Sequence, residues 1–250
     1  MKKENGEGYM KIGVVIPVYN EQDLIGDTIE KIKEFLKDNE NYSFWLVNDG
    51  SRDKTKEIIE ENIEGFPSLH LVSYENNKGK GGAVREGMLN AEGDAIIFTD
   101  ADLAYGLETV KEMGDRFSSV NEELIIGNRH AGDGFGKNYG FVRKLASFVY
   151  LKFISLFFGI KISDSQCGIK GYREPYAKKI FELCQTNGFA FDLETVMIAK
   201  KMGIGINEMP VVIKKNNENS KVHIIRDSFK MLRDLFRIKK RVKKLKITSA

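Results

Sequence analysis

Ala95-Ile96-Ile97-Phe98-Thr99-Asp100-Ala101-Asp102 is a short apolar run that stops on two carboxylates. Such a run, bounded by a polar break, fits a strand buried on both faces, as in a parallel sheet. The same signal recurs on either side of it. Upstream, Ile12–Ile16 ends at Pro17, Phe44–Val47 breaks at Asn48-Asp49-Gly50-Ser51, and Leu69–Tyr74 gives a third run; downstream lies Leu124–Gly127. Between these runs the apolar residues adopt helical spacing: Leu24 to Leu36, Asp53 to Ile63, Ala83 to Ala91 and Leu107 to Phe117. Strand–helix alternation with short connections predicts an α/β fold, a mostly parallel sheet with helices on both faces. Ligands of such sheets bind beyond the carboxyl ends of the strands. Tyr19-Asn20-Glu21, Asn48–Ser51 and Asp100–Asp102 should therefore converge on one crevice.

The second half is less regular. Helices are predicted over Phe141–Phe158, Glu174–Cys184 and Leu193–Met202, with a strand at Met209–Ile213. From Ile224, apolar residues at helical spacing alternate with Arg226, Lys230, Arg233, Arg237 and Lys239. This reads as a basic amphipathic helix. The division expected is a loose terminus over 1–10, a catalytic-type domain over 11–213 and a basic segment over 214–250.

Bulk composition narrows the function. Of the 250 residues, 42% are apolar and 30% charged, which excludes wholesale disorder. The net charge of +3 conceals an asymmetry, because 214–250 carries 13 Lys/Arg against 3 Asp/Glu, leaving −7 for the residues before it. A basic tail on an acidic body suggests an anionic partner, lipid or nucleic acid. No nucleic-acid-binding motif accompanies the charge, so no nucleic-acid partner is expected. Cys167 and Cys184 are the only cysteines, and the three histidines are scattered, which argues against a disulfide framework or a Cys/His metal site. No apolar run reaches the roughly 18–20 residues of a membrane span. A cytoplasmic protein, peripherally associated with a membrane, is expected.

Asp100 and Asp102, flanking Ala101 just past a buried strand, can face a hard divalent cation that also holds diphosphate oxygens; Mg²⁺ commonly uses one or two protein carboxylates in this way. Asp49 could accept from a base or ribose donor, or cap the following helix. Lys78-Gly79-Lys80-Gly81-Gly82 opens a helix where backbone N–H groups and lysines, Lys80 among them, can meet phosphate. It lacks the ending of a P-loop, and Val84 breaks the Gly-x-Gly-x-x-Gly pattern, so its glycines read equally as residues that permit tight packing.

These segments, Ile16-Pro17-Val18-Tyr19-Asn20-Glu21, Val47-Asn48-Asp49-Gly50-Ser51, Asn77-Lys78-Gly79-Lys80-Gly81 and Thr99-Asp100-Ala101-Asp102-Leu103, resemble in order and spacing the family 2 glycosyltransferases of GT-A (Rossmann-like) fold. Ile126-Gly127-Asn128-Arg129, Asp164 to Lys170 and Phe189 to Glu194 resemble the dolichyl-phosphate (polyprenyl-phosphate) glucosyltransferase and mannosyltransferase branch. The tail from Ser220 to Leu235 is more similar to the glucosyltransferases. The resemblance runs from about Lys11 to Arg241. It implies that Pro17, Tyr19, Glu21 and Asp49 line a nucleotide pocket, and that Asp100 and Asp102 serve a Mg²⁺ or Mn²⁺ diphosphate complex. It also implies that Arg129, Arg143 and Ser147 hold the acceptor phosphate. Two departures stand out: Asn48 replaces the first Asp of Asp-Asp-Gly-Ser, and Ala104 stands where the mannosyltransferases have Gln.

The resemblance implies an inverting transfer of a hexose, with UDP-glucose the favoured donor over GDP-mannose, onto a polyprenyl or dolichyl phosphate. Asp102, Asp164 and Arg129 are the expected catalytic group. Asp164 and Glu194 read equally as groups that position acceptor or sugar, or as a helix cap or buried ion-pair partner. A family 2 enzyme acting on a cell-wall or soluble acceptor would instead need a carboxylate base, which Asp192 or Glu194 could supply. Lys137–Lys161, with five Lys/Arg and no acid, and the basic helix after Ile224 are the expected contacts with an anionic membrane surface.

Overall fold

A computed structural model describes residues 9–131, 163–164, 166–214 and 224–246. The expected helix over Phe141–Phe158, the basic segment Lys137–Lys161, Arg143 and Ser147 lie outside these described residues.

Among the described residues seven strands form one sheet: β1 (Ile12–Val18), β2 (Tyr42–Asp49), β3 (Leu69–Tyr74), β4 (Ala95–Phe98), β5 (Leu124–Asn128), β6 (Lys170–Arg173) and β7 (Ile206–Pro210). Their spatial order is β3-β2-β1-β4-β6-β5-β7. The β1–β2, β2–β3, β1–β4 and β5–β7 pairs are parallel, whereas β6 runs antiparallel to both of its neighbours. The seven described helices are α1 (Ile25–Leu36), α2 (Thr55–Ile63), α3 (Lys80–Asn90), α4 (Leu107–Ser119), α5 (Glu174–Leu183), α6 (Phe191–Met202) and α7 (Ile224–Lys244).

Alternation along β1 shows how the two layers fill. Ile12, Val14, Ile16 and Val18 face a core shared with Ile25, Ile29 and Ile32 of α1, Ile59 of α2, and Val110, Met113 and Phe117 of α4. Val15 points the other way, into a core built with Val84 and Met88 of α3, Ile180 and Phe181 of α5, Val196 and Ile198 of α6, and Leu235, Ile238 and Val242 of α7. Each fully buried aliphatic side chain contributes about 1.5–3 kcal/mol, so the last three fix the carboxyl half of α7 as part of the body. Among the described residues, no helix is long and apolar enough to cross a membrane.

Two elements differ from the sequence reading. β6 carries no apolar run: Lys-Gly-Tyr-Arg is four residues long, too short and too polar to register as a strand. β7 lies about three residues earlier than expected: Pro210 is level with Asn128, the last residue of β5, and its missing N–H faces away from β5, since Val211 N–H donates to the Asn128 carbonyl at 3.1 Å. The antiparallel sense of β6 has a functional result. Lys170 pairs with Phe98 and Ile126 near the carboxyl ends of β4 and β5, so the segment leading into β6 arrives at the same edge as the strand-end motifs.

Candidate active site

The chain goes from β1 to β2 and β3 on one side, then crosses to β4 on the other, which makes the end of β1 a topological switch point. Val18 is level with Asn48, so the three polar breaks open side by side. Pro17 is half-buried on β1 and Tyr19 is exposed just past it. Asn20 and Glu21 are tied to the β2 loop: the Asn20 and Glu21 N–H groups donate to Ser51 Oγ at 3.0 Å and Thr55 Oγ1 at 2.8 Å, and Arg52 N–H donates to Asn20 Oδ1 at 2.9 Å. Among the described non-glycine residues, positive φ occurs at Asn20 (52°) and Leu103 (49°). A leucine in the left-handed region is strained. It directly follows Asp102, in a turn closed by Leu103 N–H donating to the Asp100 carbonyl at 3.0 Å.

Asp49 is buried at the end of β2, and its carboxylate is fully engaged. Oδ1 accepts from Tyr74 O–H and Lys78 N–H, both at 2.7 Å, and Oδ2 from Asn77 Nδ2 and Gly79 N–H, both at 2.9 Å. Four donors occupy the four acceptor positions of a carboxylate, so Asp49 shapes the loop 77–79 rather than offering an oxygen to a base. Burial and the bond to Asp49 together raise the Tyr74 phenol well above its ordinary value. Asn48 meets the departure from Asp by donating Nδ2 to Ser73 Oγ at 2.9 Å and accepting from Ser51 N–H.

The expectation that the N-terminus of α3 presents backbone N–H groups to phosphate is corrected. The helix begins at Lys80, and its Gly81 and Gly82 N–H groups donate to the Asn187 carbonyl at 2.8 and 3.3 Å. They are satisfied by a neighbouring loop. The Lys80 ammonium itself reaches the crevice, 2.5 Å from Asp100 Oδ1. Burial works against that charge, but the carboxylates of Asp100 and Asp192, the hydrogen bond to Asp100 and the more distant Asp102 hold it above the ordinary lysine value.

Asp100 is about one-third exposed, and Gly168 lies against its other oxygen; a side chain at 168 would place Cβ 2.2 Å from Oδ2. Asp102 is half-buried, its Oδ1 accepting from Ala104 N–H at 3.1 Å. Among the described residues no group of three or more His, Cys, Asp or Glu side chains gathers to hold a metal. Two hard carboxylates at an open strand end nevertheless fit the donor set of Mg²⁺ or Mn²⁺, which takes its remaining ligands from phosphate and water.

Arg129, just past β5, grips Asp164 in a fork, Nε to Oδ2 at 2.6 Å and Nη2 to Oδ1 at 2.8 Å, with the Arg129 N–H also donating to Oδ2. Burial opposes ionisation of Asp164, but the Arg129 bonds prevail and hold its carboxyl below the ordinary range. Tyr105, whose hydroxyl accepts from Gly168 N–H at 3.2 Å, sits within electrostatic reach of both Arg129 and Asp100. Behind Asp100, the fully buried Lys170 bonds to Asp192 and to the Cys167 carbonyl. Burial raises the Asp192 carboxyl, against the pull of Lys170 and Lys80. Glu194, also fully buried, accepts from the Gln185 and Thr186 N–H groups and is paired with Arg241 of α7.

With three strand-end motifs on one crevice, the family comparison is decisive. The model of Glycosyl transferase family 2 matches residues 13–181. The chain belongs to that family. It is 29% identical over 241 residues to the dolichyl-phosphate beta-glucosyltransferase of Dictyostelium discoideum, covering 91% of this chain and 73% of that one. It is 30% identical over 245 residues to the dolichyl-phosphate beta-glucosyltransferase of Saccharomyces cerevisiae, covering 90% and 72%. Among solved structures it is similar to mannosyl-3-phosphoglycerate synthase from Rubrobacter xylanophilus, with a TM-score of 0.66 at 18% identity, covering 96% of this chain and 77% of that one. Glucosyl-3-phosphoglycerate synthase from Mycobacterium tuberculosis, in complex with Mn²⁺, UDP and phosphoglyceric acid, gives 0.65 at 16% identity, covering 96% and 80%. The fold of this family 2 glycosyltransferase is GT-A.

Sequence reasoning left Lys170, Tyr105 and Arg241 without roles. Lys170 lies on a strand that had no apolar signature. Arg241 was one basic residue among many, and only its neighbours Ile238 and Val242 hint that it sits at the border of an apolar face.

Proposed function

We propose that the protein transfers glucose from UDP-glucose to a polyprenyl phosphate of the dolichyl type, with inversion at the anomeric carbon. The supporting observation is the state of the second-half carboxylates. Asp164, Asp192 and Glu194 are each bound to a cation, Arg129, Lys170 and Arg241. A sugar hydroxyl acceptor needs a carboxylate to take its proton; a phosphate brings its own anionic oxygen. A site whose candidate bases are held in ion pairs suits the second acceptor. The names of the curated relatives point to the same acceptor.

In this reading the acceptor oxygen forms a bond to the anomeric carbon as the bond from that carbon to the diphosphate breaks. The electron pair leaves on the diphosphate, and no proton needs to move. Tyr19 and Pro17 flank the nucleotide, with Glu21 at the edge of its pocket and Asp49 holding the loop 77–79. Lys80 supplies fixed positive charge beside the diphosphate. A divalent cation held by Asp100 and Asp102 would neutralise charge developing on the leaving group. Arg129 meets the acceptor phosphate, since a guanidinium matches phosphate geometry, and Asp164 sets its orientation. Arg143 and Ser147 belong to the same acceptor site by family resemblance. The outer face of α7, with exposed Phe236, Arg237, Lys240, Lys243 and Lys244, and Lys246 just beyond it, rests on an anionic membrane surface.

Incubation with Mg²⁺ or Mn²⁺, a panel of nucleotide sugars and polyprenyl phosphate, followed by mass spectrometry of the lipid, tests this reading. UDP-glucose is expected to give a hexosyl phosphoprenol. Transfer to a sugar hydroxyl with no lipid product would overturn it.

A further inference from the structure

Arg241 lies far along the chain from the strand-end motifs, yet hydrogen bonds joined by short backbone links connect it to them. Its guanidinium donates Nε to Glu194 Oε1 at 2.7 Å, adds Nη2 to the same oxygen, and donates Nη2 to Thr186 Oγ1 at 2.9 Å. The other carboxylate oxygen of Glu194 accepts from Thr186 N–H at 2.8 Å, Gln185 N–H at 3.1 Å and Cys184 Sγ at 3.3 Å. Glu194 therefore fixes three consecutive residues of the loop between α5 and α6.

That loop seats the start of α3. The Asn187 carbonyl takes the Gly81 and Gly82 N–H groups, and Arg85 of α3 returns bonds to the Cys184 carbonyl at 3.3 Å and Asn187 Oδ1 at 2.9 Å. The approach is close enough to require glycine: a Cβ on Gly81 would lie 2.5 Å from the Thr186 carbonyl oxygen and 2.7 Å from Phe191 Cβ. The residue before Gly81 is Lys80, whose ammonium contacts Asp100.

We infer that Arg241 and Glu194 are positioning residues for the nucleotide-sugar site, setting the 184–188 loop, the first turn of α3 and thereby Lys80. The inference rests on the reading of Lys80 and Asp100 as the diphosphate-binding groups. It gives the basic C-terminal helix a second task beside any surface contact. The face that carries Leu235, Ile238 and Val242 into the core also carries the guanidinium that orders a loop of the donor site. Docking of α7 and order at Lys80 are thus one structural event.

The test is binding of uridine diphosphate with Mn²⁺, followed by calorimetry on the full chain. Arg241→Gln is expected to weaken binding roughly three- to tenfold, the usual size of an effect passed through packed contacts. Arg241→Lys, which keeps the charge but loses the fork, should lie between it and wild type. Lys244→Gln on the exposed face of the same helix should bind as wild type. A residue that only stabilises the fold would lower the unfolding midpoint while leaving the dissociation constant of the folded protein unchanged. In a Lys80→Ala background, Arg241→Gln should add nothing, because its path ends at the missing ammonium; a full additive effect there would overturn the inference. So would wild-type affinity in Arg241→Gln, or in Arg241→Lys if the glutamine variant fails to fold. Wild-type protein that binds no nucleoside diphosphate overturns the underlying reading, and the inference with it.

Discussion

The acids of the first half and those of the second half occupy different environments. Asp100 is about one-third exposed at the end of β4, and Asp102 beside it is half-buried. Asp164, Asp192 and Glu194 have side chains at most 8% exposed, each against its own cation. A carboxylate at an open strand end stays accessible to a ligand even with a cation beside it, as Asp100 has Lys80. One buried in a fork can accept a ligand only by releasing its partner, and breaking such a pair costs about 3–5 kcal/mol. In the proposed reading the accessible acids of the first half offer charge to the substrate, while those of the second half hold their own loops. Asp49 is the exception: it belongs to the first half by sequence and to the second by behaviour.

The largest test of this division is Asp102→Ala. If the open acids carry the chemistry, turnover should fall roughly 10²–10³-fold at saturating metal, with the unfolding midpoint nearly unchanged. Steady-state transfer to polyprenyl phosphate and thermal unfolding, measured on the same preparation, decide it. Near-wild-type turnover would place the reaction elsewhere.

Asp164→Asn should behave in the opposite manner. It leaves Arg129 without its counter-charge, so a loss of about 3 kcal/mol of stability is expected, together with a raised KM for the lipid phosphate as the guanidinium loses orientation. The pH dependence carries a sign. The Asp164 carboxyl is held below its reference value of 3.8, so its stabilisation is fully present above that pH and is lost as pH falls through the lower folded value. Denaturant unfolding of wild type and Asp164→Asn should differ by a constant amount between about pH 5 and 8 and converge only in stronger acid. Convergence near pH 6 would assign the effect to another group.

Legibility in the sequence follows the same boundary. β1 to β4 are readable because each is an apolar run closed by a polar break, and those breaks stand at the carboxyl ends of neighbouring strands, with Tyr19 and Asp100 accessible and Asp49 buried. β6 was not readable, since Lys170 and Tyr172 are buried through pairing with β4 and β5 and through bonds to Asp192 and Thr195, none of it local. For the same reason the partners of Asp164 and Glu194 stayed open until the fold supplied Arg129 and Arg241. The glycines of Lys78–Gly82 read either as a phosphate-binding turn or as a means of tight packing, and the structure favours packing: they permit the approach of a loop more than 100 residues away. Motif residues are written in sequence; the donors that fill their hydrogen bonds are set by topology.

The smallest expected effect lies on α7, where the comparison can be sharpened within one helix. Arg241 faces inward to Glu194, whereas Lys240 and Lys244 face solvent. Replacing these two with Glu should leave unfolding within about 0.5 kcal/mol of wild type, as surface changes do, and should leave uridine diphosphate affinity unaltered. Flotation with vesicles rich in anionic lipid should weaken by at least about 1 kcal/mol per residue changed, and the difference should shrink in high salt because exposed charges are screened. If the double variant floats like wild type, membrane contact does not run through this face. If it also loses nucleotide affinity, inner and outer charges of the helix are not separable, and the contrast between charges offered to ligands and charges spent on loops fails at α7.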